Sequence, residues 1–297
     1  MSENRLYPGW RSLLFIPVHI DKFVDKAHTR GADGYILDLE DSVPLAEKAY
    51  ARGKVRDAAQ KVSCQGAAAL VRINLDWSLA QQDIDSSVCE QVSALVLPKV
   101  EHPDQILRVA ELIERQEQAQ NLPQGHTAII AMIESVEALP HLDAIARAHS
   151  RMMGVTLGSE DFSVSAGMLP QPATLFHPNQ MIVFACRRAG IEPLGFPGSI
   201  ADYSDMDAFH STITQARNMG FVGALCIHPK QAEVLNAIFT PSDHELDNAQ
   251  GLIAAFEEGL SAGKGAVEFK GKMIDLPVVN AAKKLIHRAE KLGIRKA

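Results

Sequence analysis

Residues 34–43 read GYILDLEDSV, an apolar run, Tyr35-Ile36-Leu37, that ends in three acids within four positions, Asp38, Glu40 and Asp41. A short apolar run entered through Gly and left through polar residues reads as a buried strand, too short for a helix of ordinary length. The plan recurs along the chain. Residues 68–74, AALVRIN, finish on Arg72 and Asn74; residues 128–135, AIIAMIES, finish on Glu134-Ser135; residues 152–161, MMGVTLGSED, finish on Gly158-Ser159-Glu160-Asp161. Two further runs end on Pro98-Lys99 and His228-Pro229.

The strands expected on this reading are Ser12–Val18, Gly34–Glu40, Ala68–Asn74, Ala94–Val100, Thr127–Ile133, Met152–Gly158, Glu192–Phe196 and Gly223–His228, of which the seventh is the weakest. Amphipathic stretches fall between them. Pro44–Val62 starts with a Pro whose φ is preset for a first turn, and Pro103–Gln120 keeps Ile106, Val109, Ala110 and Ile113 on one face. An open doubly wound sheet fits this local pattern, and so does a closed barrel. The strand ends favour the barrel, because a (β/α)8 barrel brings all of its C-terminal strand ends to one face, whereas an open sheet gathers only those near its switch point. The expected fold is α/β, a (β/α)8 TIM barrel over residues 1–240. A C-terminal helical extension over 241–297 follows, made of a helix at Ser242–Ala262, a hinge at Gly263-Lys264-Gly265, a short apolar piece and a helix at Pro277–Leu292.

With 297 residues, 46% apolar and 22% charged, the chain is long enough for one large core plus an appendage. A net charge of −7 argues against nucleic acid as a partner, since phosphate neutralisation needs a concentrated basic face. Cys64, Cys89, Cys186 and Cys226 are widely spaced and read as reduced thiols, not as a metal or disulfide framework. The start, MSENRLYPGWRS, lacks the plan of a secretory leader, and no run reaches membrane-helix length, so the cytoplasm is the expected compartment. GLSAGKG at 259–265 is too short for a Walker loop, and neither G-x-S-x-G nor G-x-G-x-x-G is present.

Glu134 and Asp161 end successive expected strands, so two carboxylates from neighbouring strands can share one cation. Mg2+ is commonly held in this way, by one or two carboxylates together with water and substrate oxygens. Each acid alone reads equally well as a cap on the following helix. Arg72 closes an apolar strand, where a cation needs a partner. Its planar fork suits a substrate carboxylate, and internal pairing with Asp38, Glu40 or Asp41 is the other reading. Asp38 and Glu40 would face one side if the strand continued, while Asp41-Ser42 reads as the cap of the helix at Pro44. Lys99, His177 and His228 read on their own as salt-bridge or surface groups.

Seven ordered motifs, spread over about residues 10 to 280, carry a resemblance. They are Arg11-Ser12-Leu13-Leu14-Phe15-Ile16-Pro17; Gly31-Ala32-Asp33-Gly34 running into Ile36-Leu37-Asp38-Leu39-Glu40-Asp41-Ser42-Val43; Val71-Arg72-Ile73-Asn74; Leu97-Pro98-Lys99-Val100; Met132-Ile133-Glu134-Ser135; Gly158-Ser159-Glu160-Asp161; and Ile227-His228-Pro229-Lys230-Gln231. Together they resemble the HpcH/HpaI aldolase and citrate lyase β-subunit superfamily, in its acyl-CoA lyase branch of malyl-CoA and citramalyl-CoA type. The resemblance implies a TIM barrel in which Glu134 and Asp161 ligate Mg2+, with Mn2+ as its substitute. Arg72 would bind the carboxylate of a 2-oxo acid, with Pro98, Gly158, Ser159 and Glu160 lining the substrate and Asp38 and Glu40 assisting. Arg11, Pro17, Lys22 and His228 are the candidates for the coenzyme A end. Gly271-Lys272-Met273-Ile274-Asp275 matches the family's lid motif, which makes Asp275 the acid/base offered to a neighbouring subunit in a homotrimer or hexamer.

The chain departs from the family at Pro17-Val18-His19, where Pro-Gly is usual, at Leu175-Phe176-His177-Pro178-Asn179, and at Gly195-Phe196-Pro197-Gly198-Ser199. The expected activity is a Mg2+-dependent carbon–carbon lyase acting between an acyl-CoA and glyoxylate or pyruvate. A CoA-independent 2-oxo-acid aldolase and a citrate-lyase β-type subunit working on an acyl carrier protein are the alternatives.

Overall fold

The computed structural model describes residues 8–263 and 265–294. Lys264 of the expected hinge, and residues 1–7 of the N-terminal stretch read for a leader, lie outside the described residues. The chain divides into two compact units, residues 1–237 and 238–297.

In the first unit β1 (Ser12–Pro17) is followed by α1 (Asp21–Ala27), β2 (Gly34–Asp38) by α2 (Lys48–Val62), β3 (Ala68–Arg72) by α3 (Trp77–Ser87), and β4 (Val92–Leu97) by α4 (Pro103–Ala119). β5 (Ala128–Ile133) leads to α5 (Leu142–Ala146), and β6 (Met152–Leu157) leads to α6 (Ser159–Ala166) and α7 (Pro172–Ala189). β7 (Glu192–Leu194) and α8 (Met206–Met219) precede β8 (Ala224–Cys226) and α9 (Pro229–Phe239). The parallel strands neighbour one another in chain order from β1 to β7, and β8 lies beside β1. The remaining edges meet through a parallel bridge of Leu194 with Gly223 and through the Gly195 N–H, which donates to the Gly223 carbonyl at 2.9 Å. The eight strands therefore form a (β/α)8 barrel.

The alternation of side chains along each strand decides what fills this barrel. Leu13, Ile36, Leu70, Ala94, Val96, Ala128, Ile130, Leu194 and Leu225 form the interior cluster. Their intervening neighbours, among them Tyr35, Leu37, Val71, Leu95 and Ile129, are equally buried on the outward faces of the strands, as expected when helices cover the outside of a parallel sheet. Continuing the inward parity toward the C-terminal ends reaches Phe15 and Pro17, Asp38, Arg72, Met132 and Glu134, and Thr156 and Gly158, and all of these line one cavity.

The expected strands are correct in number and order but, except for the fifth, which ends at Ile133 as expected, run long at their C-terminal ends. Asp38, Arg72, Leu97, Ile133, Leu157, Leu194 and Cys226 close β2 to β8, because the last polar residues turn out of the ladder to meet one another. The stretch expected as one helix from Pro44 is a 3-10 turn at Leu45–Glu47 followed by α2.

The opposite end of the barrel is held by ion pairs. Arg151, just before β6, forms a bidentate pair with Glu117 of α4 at 2.7 and 2.6 Å, with side-chain exposures of 4% and 1%. The Thr127 N–H donates to the same Glu117 carboxylate at 2.7 Å. Arg11 grips Asp33 in the same manner ahead of β1 and β2.

The second unit contains α10 (Asp243–Ser261), opened by a Ser242/Glu245 capping box, and α11 (Leu276–Lys291), started by Asp275. Its core holds Leu252, Phe256, Ile274 and Val279. The apolar piece expected between the helices is an antiparallel hairpin, β9 (Val267–Phe269) and β10 (Lys272–Ile274). Lys270 and Gly271 at its tip both take positive φ, as a tight two-residue hairpin turn requires. Among the described residues no helix is long and apolar enough to cross a membrane.

Removing one partner of a buried pair leaves an uncompensated charge. Arg151→Met is expected to lower the unfolding free energy by about 3–5 kcal/mol, read as a lower urea midpoint with the Arg72 end of the barrel unaltered.

Candidate active site

The cavity at the C-terminal ends of the strands has a volume of about 410 Å³. One wall is apolar, built from Phe15, Met132, Phe196, Ile200, Leu225 and Ile227; the other carries Asp38, Arg72, Glu134, Glu160 and Asp161.

Arg72 and Asp38 are register partners across β2 and β3. The Arg72 Nε and Nη2 donate to the two Asp38 carboxylate oxygens at 2.7 Å each, and Nη1 reaches Glu40 at 3.0 Å. The guanidinium lies 4.8 Å from the centre of the Phe15 ring. Of five N–H donors, these contacts use three and leave one on each terminal nitrogen. Both readings of Arg72 are thus compatible, since internal acids orient the fork without exhausting it. Burial pushes the Asp38 carboxyl up, but the Arg72 bonds outweigh this and hold it below the usual carboxylate range. Glu40 goes the other way: burial, the largest influence, together with the neighbouring Asp41 raises it against the lowering by Arg72 and Lys99.

Glu134 follows β5 and is 5% exposed. Burial, and then the nearby charges of Glu40 and Asp161, leave its carboxyl pushed up to about 8. Oε2 accepts the Lys99 backbone N–H at 3.2 Å. A Cβ on Gly158 would stand 2.5 Å from Glu134 Cγ and 2.9 Å from Oε1, so only Gly lets this carboxylate lie where it does. Asp161 is exposed and sits in the first turn of α6, not at the end of β6 as expected. Among the described residues no group of three His, Cys, Asp or Glu is arranged to hold a metal. The donor set is therefore two hard carboxylates, one of them buried beside further acids with its charge disfavoured. That set fits a dication that keeps waters and takes its remaining ligands from substrate, and it is a poor set for a closed structural site.

Several of the other expected site residues line the cavity and some do not. Pro17, Gly158, Ser159 and Glu160 do, and Glu160 accepts the Ser199 hydroxyl at 2.6 Å, which ties the divergent loop at 195–199 to the site. Pro98 is buried but does not line the cavity. Arg11 is a correction: it is committed to Asp33 at the N-terminal end of β1, the end of the barrel away from this cavity. Lys22, on α1, rests its ammonium 4.9 Å from the Phe23 ring, outside the lining. His228 stacks on Tyr203 at 4.7 Å and accepts the Lys230 N–H through Nδ1. Asp275 belongs to the second unit, where its carboxylate accepts the Val278 N–H at 3.5 Å as the N-cap of α11. His177 is exposed on α7. Asp41, read as a helix cap, instead lines the cavity, 3.8 Å from Arg72 and 3.5 Å from Lys99.

Sequence reasoning undervalued Lys99 and did not assemble the apolar wall. Two signals were available: the inward parity that passes through Phe15 and Met132, and the single cation placed right after Pro98 at a strand end.

Residues 11–229 match the sequence profile of the HpcH/HpaI aldolase/citrate lyase family. The chain belongs to that family. It is 34% identical over 292 residues to a citrate lyase subunit beta of Leuconostoc mesenteroides subsp. cremoris, covering 97% of this chain and 95% of the relative. It is 30% identical over 309 residues to an L-malyl-CoA/beta-methylmalyl-CoA lyase of Cereibacter sphaeroides, covering 95% of each. Among solved structures it is similar to the CitE protein of Mycobacterium tuberculosis in complex with magnesium, acetoacetate and coenzyme A, with a TM-score of 0.73 and 26% identity over 94% of this chain and 97% of that one. As a member of this family the protein is a carbon–carbon lyase, like the citrate and malyl-CoA lyases it matches.

Because Gly158 makes room for Glu134, Gly158→Ala is expected to displace that carboxylate and cut turnover by about 100-fold, with secondary structure by circular dichroism unchanged.

Proposed function

We propose that the protein is a Mg2+-dependent lyase that reversibly cleaves a 3-hydroxyacyl-CoA of malyl-CoA or citramalyl-CoA type into an acyl-CoA and glyoxylate or pyruvate. The observation that carries this reading is the meeting of Arg72, Glu134 and Asp161 around one half-apolar cavity. Glu134 and Asp161 would hold the cation. When bound, it supplies Lewis-acid polarisation of the 2-oxo acid's carbonyl oxygen.

The chain's own residues do the rest. The two N–H groups left on the Arg72 terminal nitrogens match the two oxygens of the 2-oxo acid carboxylate, and Asp38 and Glu40 keep the fork in that orientation. The apolar wall of Phe15, Met132, Leu225 and Ile227 receives the short acyl chain and excludes water from it. In the condensing direction the Asp275 carboxylate, brought by a neighbouring copy in a homotrimer or hexamer, takes a proton from the thioester α-carbon. The electron pair of that carbon then forms the new bond to the 2-oxo carbonyl carbon, and the resulting alkoxide takes up a proton from solvent. In cleavage the hydroxyl loses its proton, the carbon–carbon bond breaks toward the thioester, and protonated Asp275 returns a proton to the α-carbon. Pro17 at the cavity edge, with Lys22 after β1 and His228 after β8, is assigned to the coenzyme A end. β1 and β8 are neighbours, which groups these three on one side of the barrel mouth.

The 34% identity to a citrate lyase subunit beta supports a second reading, in which the thioester is carried by a protein instead of coenzyme A.

The test is an assay of malyl-, citramalyl- and β-methylmalyl-CoA with Mg2+, using the matching carrier-protein thioesters and the free hydroxy acids as parallel arms. Cleavage of a CoA thioester, lost with EDTA and restored by Mg2+ or Mn2+, is the expected result. Cleavage confined to free acids would overturn it. Asp275→Asn is expected to abolish turnover while pyruvate or glyoxylate binding, followed by calorimetry with Mg2+, stays at the wild-type level. Wild-type turnover in that variant would remove Asp275 from the mechanism.

A further inference from the structure

Lys99 has two features that a surface lysine does not need. Its φ of +53° lies in the left-handed region, where an L side chain is disfavoured. The conformation is held from both sides. The Val100 N–H donates to the Met132 carbonyl at 3.1 Å, and the N–H groups of Glu101 and His102 both donate to the Gln105 side chain of the α4 capping box. The turn enforced in this way aims the Lys99 backbone N–H at Glu134 Oε2. Backbone strain that the surroundings over-determine is common where a site needs one geometry.

The second feature is the ammonium. It donates to Glu40 Oε1 at 2.5 Å and lies 3.5 Å from Asp41. The other oxygen of Glu40, Oε2, is met by Arg72 Nη1 at 3.0 Å and by the Asp41 N–H at 3.1 Å. Both oxygens of Glu40 are therefore occupied, one by each of two cations. Glu40 is also the leading charged neighbour of Glu134. Six carboxylates stand at this end of the barrel: Asp38, Glu40, Asp41, Glu134, Glu160 and Asp161. Held as they are, no three of them come together as a metal-binding group among the described residues, and both oxygens of Glu40 are kept by cations of the protein itself. Each further carboxylate bound would fill a position that substrate oxygens need. Lys99 does not line the main cavity, and it shares a neighbouring hollow with Glu40 and Asp41. It acts through these acids and not on the substrate.

We propose that Lys99 is a positioning residue that withholds Glu40 from the divalent cation, leaving Glu134 and Asp161 as its protein ligands and Glu40 committed to Arg72. The inference rests on the metal-site reading given under the proposed function. Removing the ammonium frees a carboxylate oxygen beside the cation and deletes a repelling positive charge, and both changes tighten cation binding. The site gains metal affinity and loses substrate geometry.

The experiment is Mg2+ titration calorimetry on the full-length protein, repeated with Mn2+ by electron paramagnetic resonance, for wild type, Lys99→Met, Lys99→Gly and Lys99→Arg. Lys99→Gly keeps the left-handed backbone and its N–H while removing the side chain, so it separates the ammonium from the turn. Lys99→Met and Lys99→Gly are expected to bind the cation at least about fivefold more tightly, with a raised KM for the 2-oxo acid and a reduced kcat. Lys99→Arg is expected to keep wild-type cation affinity. Wild-type protein that binds no divalent cation would overturn the metal reading and this inference together. Wild-type binding with equal or weaker affinity in Lys99→Met and Lys99→Gly would overturn this inference alone, whatever happens to turnover.

Discussion

The guanidinium of Arg72 and the carboxylate of Asp38 leave water together at the rim of the barrel, with side-chain exposures of 13% and 3%. Neither group could sit there alone, because an unpaired buried charge is strongly disfavoured. Their bidentate contact follows from the parallel register that sets Asp38 beside Arg72. Around this pair the other charges take their places: Glu40 bridges Arg72 and Lys99, Asp41 closes on both, and Glu134 lies beyond in a position only Gly158 permits. A substrate carboxylate would therefore meet an arginine already oriented and only partly satisfied.

The barrel separates stability from chemistry by its two ends. At the N-terminal ends of the strands Arg151–Glu117 and Arg11–Asp33 are fully paired arginine forks. At the C-terminal ends the acids outnumber the cations, and burial, followed by the charges of Glu40 and Asp161, raises Glu134. Arg11, which the family resemblance put at the coenzyme A end, pairs instead with Asp33. It stands one residue before β1, as far along that strand from Pro17 as the strand is long. The same side-chain type at the other end, Arg72, lines the cavity.

The thiols are consistent with the non-redox reading. Cys89, Cys186 and Cys226 are buried, and burial pushes Cys186 up to about 12, so it is a poor nucleophile. Cys64 alone is exposed.

Sequence alone determined the number and order of the strands, the barrel class and the convergence of Arg72, Asp38, Glu134 and Asp161 on one end of the barrel. It could do so because a strand buried on both faces must be apolar throughout, so each polar residue that ends one stands out against its background. It could not determine where each strand stops, because residues past the strand end leave the ladder for other partners, as Glu40 does for Lys99 and Asn74 for Asp83. Nor could it tell that Asp161 would sit on a helix turn, that Asp41 would face the cavity instead of capping α2, or that Lys99 would take a left-handed backbone to point its N–H at Glu134. Those outcomes depend on which strand ends become neighbours when the barrel closes, and closure is a long-range event that no local pattern encodes.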